Sequence, residues 1–161
     1  ERLADADAFR SIGLDRRAAL GAGRALDDGL AVAGLERSGI YVTNAVKHFK
    51  WTASGKRRLH QKPTVAEMRA CKPWLEAELG ALRPEVVVCL GSTAARAVLG
   101  REVSVTADRG VIDDPGLPYR VIVTFHPSYL LRLQDEAALE EAWMAFCRDL
   151  ASAKALLEER A

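Results

Sequence analysis

Residues 85–91 read "EVVVCLG": one acid, five consecutive apolar residues and a glycine. A strand with one wet face alternates apolar and polar residues, whereas a near-unbroken apolar run is what a parallel strand shows when helices cover both faces. The next residues agree, since Ser92 is placed to cap a short helix ending at Gly100. A second run of the same kind, "YRVIVTFHPS" at 119–128, leads into His126 and Pro127. Between the two, 101–119 carry Gly, Asp and Pro turn signals around short β-like pieces.

Working outward, Thr64 and Glu67 form a T-x-x-E capping box, and Val65, Met68, Leu75, Leu79 and Leu82 continue on one face. A helix over 64–82 is expected, with Pro73 a candidate kink. Leu26, Leu30, Val32 and Ala33 place another helix over 22–35, stopped by Gly34. "GIYVTN", 39–44, reads as a short buried strand, and 135–159 as an amphipathic helix with Leu139, Trp143, Phe146 and Leu150 inward. Strands alternating with helices imply an α/β domain, a mostly parallel sheet with helices on both faces. Ligands of such sheets bind beyond the carboxyl ends of the strands. That rule gathers Asn44, His60 and His126 at one rim.

A chain of 161 residues, 49% of them apolar, suits one domain over 1–161. No apolar run is long enough to span a membrane and no charged-then-apolar leader opens the sequence, so a soluble cytoplasmic protein is expected. The three cysteines, Cys71, Cys89 and Cys147, make neither an even set nor a CxxC pair, which fits a reducing compartment. Cys89 and Cys147 read as buried thiols.

The formal charge of +1 conceals an asymmetry: residues 47–62, "KHFKWTASGKRRLHQK", hold six Lys or Arg and no acid, leaving the remainder at net −5. Cations interleaved with Phe49 and Trp51 have the composition of a nucleic-acid contact, since cations neutralise phosphates and rings stack on bases. A solvated basic loop is the alternative. The whole segment 45–63 reads as a loop, and loops beyond about 12 residues without structure of their own are usually functional or disordered. Each histidine has an ordinary reading as a satisfied polar group. His126 nevertheless ends an apolar strand at the mouth of a cleft, His60 comes after three cations that favour its neutral, nucleophilic form, and His48 is placed as a pocket residue or metal ligand. These features name no reaction.

In order along the chain, "YVTNAVKHFKW", "GKRRLH", "ACKPWLEAEL", "PEVVVCLGSTAARAVLG" and "FHPSYLLR" resemble the uracil-DNA glycosylase superfamily over residues 21–155. Within it the chain is most similar to the X branch of the family-4-like iron–sulfur enzymes, to which the "KRRLH" insert is specific. The resemblance implies a three-layer α/β/α fold around a central, mostly parallel four-stranded sheet. It implies a bacterial, monomeric repair enzyme that flips uracil out of DNA, with single strands preferred, and cleaves its glycosidic bond. Asn44 then matches the asparagine whose amide pairs with the base, and His126 the histidine that hydrogen-bonds the base carbonyl as charge develops. His60 matches a histidine that attacks the sugar carbon and leaves protein and abasic DNA covalently joined. Lys47, Lys56, Arg57, Arg58, Ser128 and Arg132 would contact DNA. His48 and Cys71 match two of four ligands of a [4Fe–4S] cluster.

The sequence departs from that pattern at its start. The N-terminal CxxC carrying the other two ligands, the glycine-rich motif after the first strand and the phenylalanine that stacks on uracil are missing, Ala18 and Ala19 standing near the last. Residues 1–20 form an atypical start, read as truncation or replacement. A central strand is expected to be lost with them, and a catalytically impaired DNA-binding remnant of the same fold is the alternative function.

Overall fold

The structure, a computed structural model, describes residues 21–48, 50–55 and 57–159, with Arg57–His60 described by their backbone. The expectations that fall on 1–20, Phe49 and Lys56 lie outside the described residues. In chain order the elements are α1 (Ala22–Val32), a 3-10 turn (Arg37–Gly39), β1 (Trp51–Ser54), β2 (Arg57–His60), α2 (Val65–Leu82), β3 (Val86–Leu90) and α3 (Ser92–Leu99). The chain continues through α4 (Val105–Asp108), β4 (Gly110–Ile112), β5 (Arg120–Thr124), α5 (Pro127–Leu130) and α6 (Glu136–Glu158).

The two apolar runs pair as expected. β3 and β5 are parallel, in register from Val86 opposite Arg120 to Leu90 opposite Thr124. Val121, Ile122, Val123 and Thr124 are all fully buried, because helices cover both faces of β5. Val121 and Val123 pack with Cys89, Ala95 and Val103 on one face, while Ile122 packs with Ala153 and Leu156 of α6 on the other. Alternate residues of one strand thus feed two separate cores, the signature of a three-layer α/β/α arrangement. Beneath α6 the larger cluster joins Leu139, Trp143, Phe146 and Leu150 to Leu30 and Ala33, as the helical stripe foretold. Gly29 makes this packing close: a Cβ there would come within 2.5 Å of Phe146 Cε1.

Helix α2 forms where the capping box placed it and continues through Pro73. Thr64 Oγ1 accepts from the Glu67 N–H at 3.3 Å, and the Thr64 N–H donates to the Glu67 carboxylate at 2.6 Å.

Two expectations need correction, and a third is met only in part. Residues 40–44 form no strand, and Tyr41 and Val42 are 58% and 46% exposed instead of buried. A strand exists only through its ladder, and among the described residues no strand pairs with this segment. Among the described residues the sheet shows three strands, in the order β3-β5-β4, with β4 antiparallel to β5, so of the expected four-stranded, mostly parallel sheet only the β3–β5 pair is seen parallel. β3 is consequently an edge strand among the described residues. The segment 45–63 is not a loop throughout, because β1 and β2 pair antiparallel with Ser54 opposite Arg57 and Trp51 opposite His60. With Ser54 opposite Arg57 the hairpin is tight, and Gly55 takes the φ of +60° such a connection needs.

Candidate functional site

The carboxyl end of β5 delivers His126 to the surface as the N-cap of α5. Pro127 at the first helical position suits that turn, having no N–H to leave unpaired. The Ser128 backbone N–H donates to His126 Nδ1 at 3.1 Å, and the Ser128 hydroxyl lies 2.8 Å from the same nitrogen. A backbone N–H can only donate, so Nδ1 is the acceptor and the proton of the neutral ring sits on Nε2. Arg132 Nη1 donates to Ser128 Oγ at 3.2 Å, completing a short relay from guanidinium to hydroxyl to imidazole. The result is a surface imidazole of defined tautomer, whose Nε2 is a hydrogen-bond donor.

Gly91, at the end of β3, fixes how close the neighbouring turn comes. Its N–H donates to the Thr124 carbonyl at 2.9 Å, its φ is +85°, and a Cβ there would lie 3.1 Å from His126 Cβ. Only glycine satisfies both the left-handed backbone and the contact.

Below His126 lies a polar network that the sequence reading missed. Asp149 of α6, 6% exposed, accepts from Arg109 Nη1 at 2.9 and 3.0 Å and from the fully buried Thr124 hydroxyl at 2.5 Å. The Arg109 guanidinium also lies over the Phe125 ring, 5.4 Å from its centroid, and Phe125 stacks on Tyr129 at 5.0 Å. One signal was available: Asp149 occupies the inward stripe of α6, next to Leu150 and three residues beyond Phe146, where an acid requires a partner.

The hairpin is anchored at its root, and its first strand is wet along its length. All four residues of β1 are exposed. The Gln61 N–H donates to the Lys50 carbonyl at 2.8 Å, and Lys50 Nζ meets both Glu67 carboxylate oxygens at 2.9 and 3.0 Å. His60 stands at this root, opposite Trp51, and not at the tip. The Thr64 backbone N–H, followed by Lys50, holds the Glu67 carboxyl down at about 2, against an ordinary 4.5. A lowered folded pKa stabilises the fold above the ordinary value, and that contribution is lost as pH falls from about 4.5 towards 2. Thermal unfolding followed against pH is expected to show a steeper acid loss in the natural chain than in Glu67→Gln; parallel curves would contradict this.

The remaining candidates divide. Asn44 is exposed in the segment expected to be a strand. Lys47 is committed to an intramolecular pair, its Nζ donating to Glu78 at 2.7 Å and Thr43 at 2.8 Å, and its bond holds the Glu78 carboxyl below the usual range. Arg57 and Arg58 lie on β2. His48 and Cys71 do meet: Nδ1 and Sγ are 3.7 Å apart, and the Lys47 backbone N–H donates to Sγ at 3.4 Å. Cys89 and Cys147 are buried thiols pushed up to about 12 by burial.

A [4Fe–4S] cluster usually takes four protein ligands. Among the described residues no group of three or more His, Cys, Asp or Glu side chains gathers to hold a metal. His48 and Cys71 therefore make half a ligand set, which by itself does not fit the cluster. Nor, among the described residues, is any helix long and apolar enough to cross a membrane.

Comparison with known proteins supplies the family. The model of the uracil DNA glycosylase superfamily matches residues 10–147. The chain is 38% identical over 112 residues to a type-4 uracil-DNA glycosylase of Thermotoga maritima, 69% of this chain and 55% of that protein. It is 39% identical over 100 residues to a type-5 uracil-DNA glycosylase of Pyrobaculum aerophilum, 60% of this chain and 40% of that protein. The chain thus spans about half the length of the curated relatives it matches. A short stretch of 32 residues, 20% of the chain, is 81% identical to 3% of an error-prone DNA polymerase of Rhizobium meliloti. With the strand-borne His126-Pro127-Ser128 turn and a family match over most of its length, the chain belongs to the uracil-DNA glycosylase superfamily.

Proposed function

We propose that the chain excises uracil from DNA in repair and captures the abasic sugar through His60. The observation carrying the excision step is the tautomer of His126: with Nδ1 accepting from the Ser128 N–H, Nε2 can donate to a base carbonyl as negative charge grows there. A flipped uracil would pair with the Asn44 amide, which offers a donor and an acceptor together. The glycosidic C–N bond breaks with its electron pair leaving on uracil, which takes up a proton. His60 then forms a new C–N bond to the sugar carbon, and the ring's own N–H proton passes to water. The adduct lacks an easy leaving route.

Backbone register supports the role of His60. It sits where the ribbon joins the body, tied by Lys50 and Glu67, while Arg57 and Arg58 lie towards the far end, opposite Ser54 and Ala53. That arrangement suits cations tracking phosphates ahead of an anchored nucleophile. Ser128 and Arg132 would contact DNA from the His126 turn, and Lys47 would do so only on leaving Glu78. In this reading the substrate is uracil-containing DNA, single strands preferred, bound by a monomer in the bacterial cytoplasm. The open edge of β3 is where a fourth, parallel strand would complete the sheet. Two further cluster ligands would have to come from outside the described residues.

Incubation with a uracil-containing single-stranded oligonucleotide is expected to give an SDS-resistant complex that His60→Ala abolishes. Neither adduct nor abasic product from the natural chain would overturn the reading. The incomplete ligand set and the strandless segment 40–44 favour a second reading, a DNA-binding remnant without chemistry. It requires salt-sensitive binding with no preference for uracil over thymine.

A further inference from the structure

We propose that Asp149, acting with Arg109, is a positioning residue for His126. This rests on reading His126 as the group that meets the departing base. Asp149 is not in the site; it lies on the central helix of the core, where a carboxylate is costly unless its oxygens are used. Both are: Arg109 Nη1 bridges them at 2.9 and 3.0 Å and Thr124 adds a hydroxyl at 2.5 Å.

This clamp grips the few residues around His126. Thr124 is the last residue of β5, two before the histidine, and its carbonyl also receives the Gly91 N–H. Phe125, immediately before it, is covered by the Arg109 guanidinium on one side and stacks on Tyr129. Tyr129 in turn donates its backbone N–H to the His126 carbonyl at 2.8 Å. Residues on both sides of the histidine are thereby referred to one buried carboxylate, and α6, the segment before β4 and the end of β5 are locked together. Arg109 reaches α6 a second time, at the Ala145 carbonyl at 3.3 Å. A buried ion pair is a poor source of stability compared with a well-packed apolar plug. It supplies direction: the hydroxyl of Thr124 and the plane over Phe125 are fixed by bonds that an apolar plug would not make.

The test combines single-turnover excision of uracil from an oligonucleotide with NMR of the His126 ring nitrogens, assignable because the full chain has three histidines. Asp149→Asn and Arg109→Met are expected to slow excision by about 10–10²-fold, the range of a small misplacement of reacting groups, with DNA affinity changed less than about twofold. Arg109→Lys should recover part of the rate, because it restores charge without the bridging geometry. In a His126→Ala background the same substitutions should have almost no further effect, and the ring signals should shift in Asp149→Asn without DNA. If Asp149→Asn fails to fold, Thr124→Val removes a single bond to the clamp at nearly constant volume and takes its place. Full additivity with His126→Ala, or unmoved ring signals in a folded variant, would overturn the proposal. A natural chain that excises no uracil defeats the function proposed above; the ring signals then decide the positioning role by themselves.

Discussion

Replacing His126 by alanine is expected to slow single-turnover excision by about 10²–10³-fold, about 2.7–4 kcal/mol of transition-state stabilisation. The expectation rests on which nitrogen carries the proton. Because the Ser128 backbone N–H occupies Nδ1, in the proposed reaction the ring would meet the base as a preset Nε2 donor that needs no reorganisation when charge develops. Ser128→Ala should cost much less, since the hydroxyl at 2.8 Å is lost while the backbone bond that sets the tautomer stays. Rapid-quench measurement on a uracil oligonucleotide distinguishes the two. Equal losses in both variants would mean that the hydroxyl, and not the amide, governs the ring.

The largest effect on stability is expected from Phe146→Ala, about 3–5 kcal/mol, lowering Tm by about 6–20 °C. Phe146 is fully buried, its ring 5.9 Å from that of Trp143 and its edge against Gly29, where α1 approaches most closely. Removing the ring empties the junction of α1 and α6, and the missing side chain at Gly29 means that no neighbour there can move in. Calorimetry reads the shift directly. A loss of only a few degrees would show that α1 contributes little to the cooperative fold.

Elements whose causes are local could be read in the chain. The capping box of α2 is four residues long, and the stripe Leu139, Trp143, Phe146, Leu150 needs only helical spacing to show itself. The pairing of "VVVCL" with "RVIVT" was legible because a run covered on both faces has few other homes. Residues 39–44 failed for the opposite reason, since an apolar, β-branched stretch becomes a strand only beside another. The hairpin was hidden by its own charge: the run of cations drew attention to phosphate binding, while Gly55-Lys56 between two four-residue segments carried the turn signal.

At the site, the histidine and its Pro-Ser successor were visible as a strand end, but the tautomer was not, because it depends on where an amide points. Arg109 and Asp149 are separated by 40 residues and meet only once α6 lies across the sheet. Asp149 alone left a trace, as an acid among inward-facing residues. His48 and Cys71 were named together only through the resemblance, and their contact could not be read from spacing, 23 residues of chain separating them.

Gly91 restricts what mutation can do to this protein. It neither titrates nor contributes a side chain, yet it shares van der Waals space with His126. Every missense change of its codon adds a carbon 3.1 Å from His126 Cβ, which must then give way, at a φ of +85° that side chains rarely adopt. A change at the β3 turn is therefore felt at His126, although the two residues lie 35 positions apart in the chain.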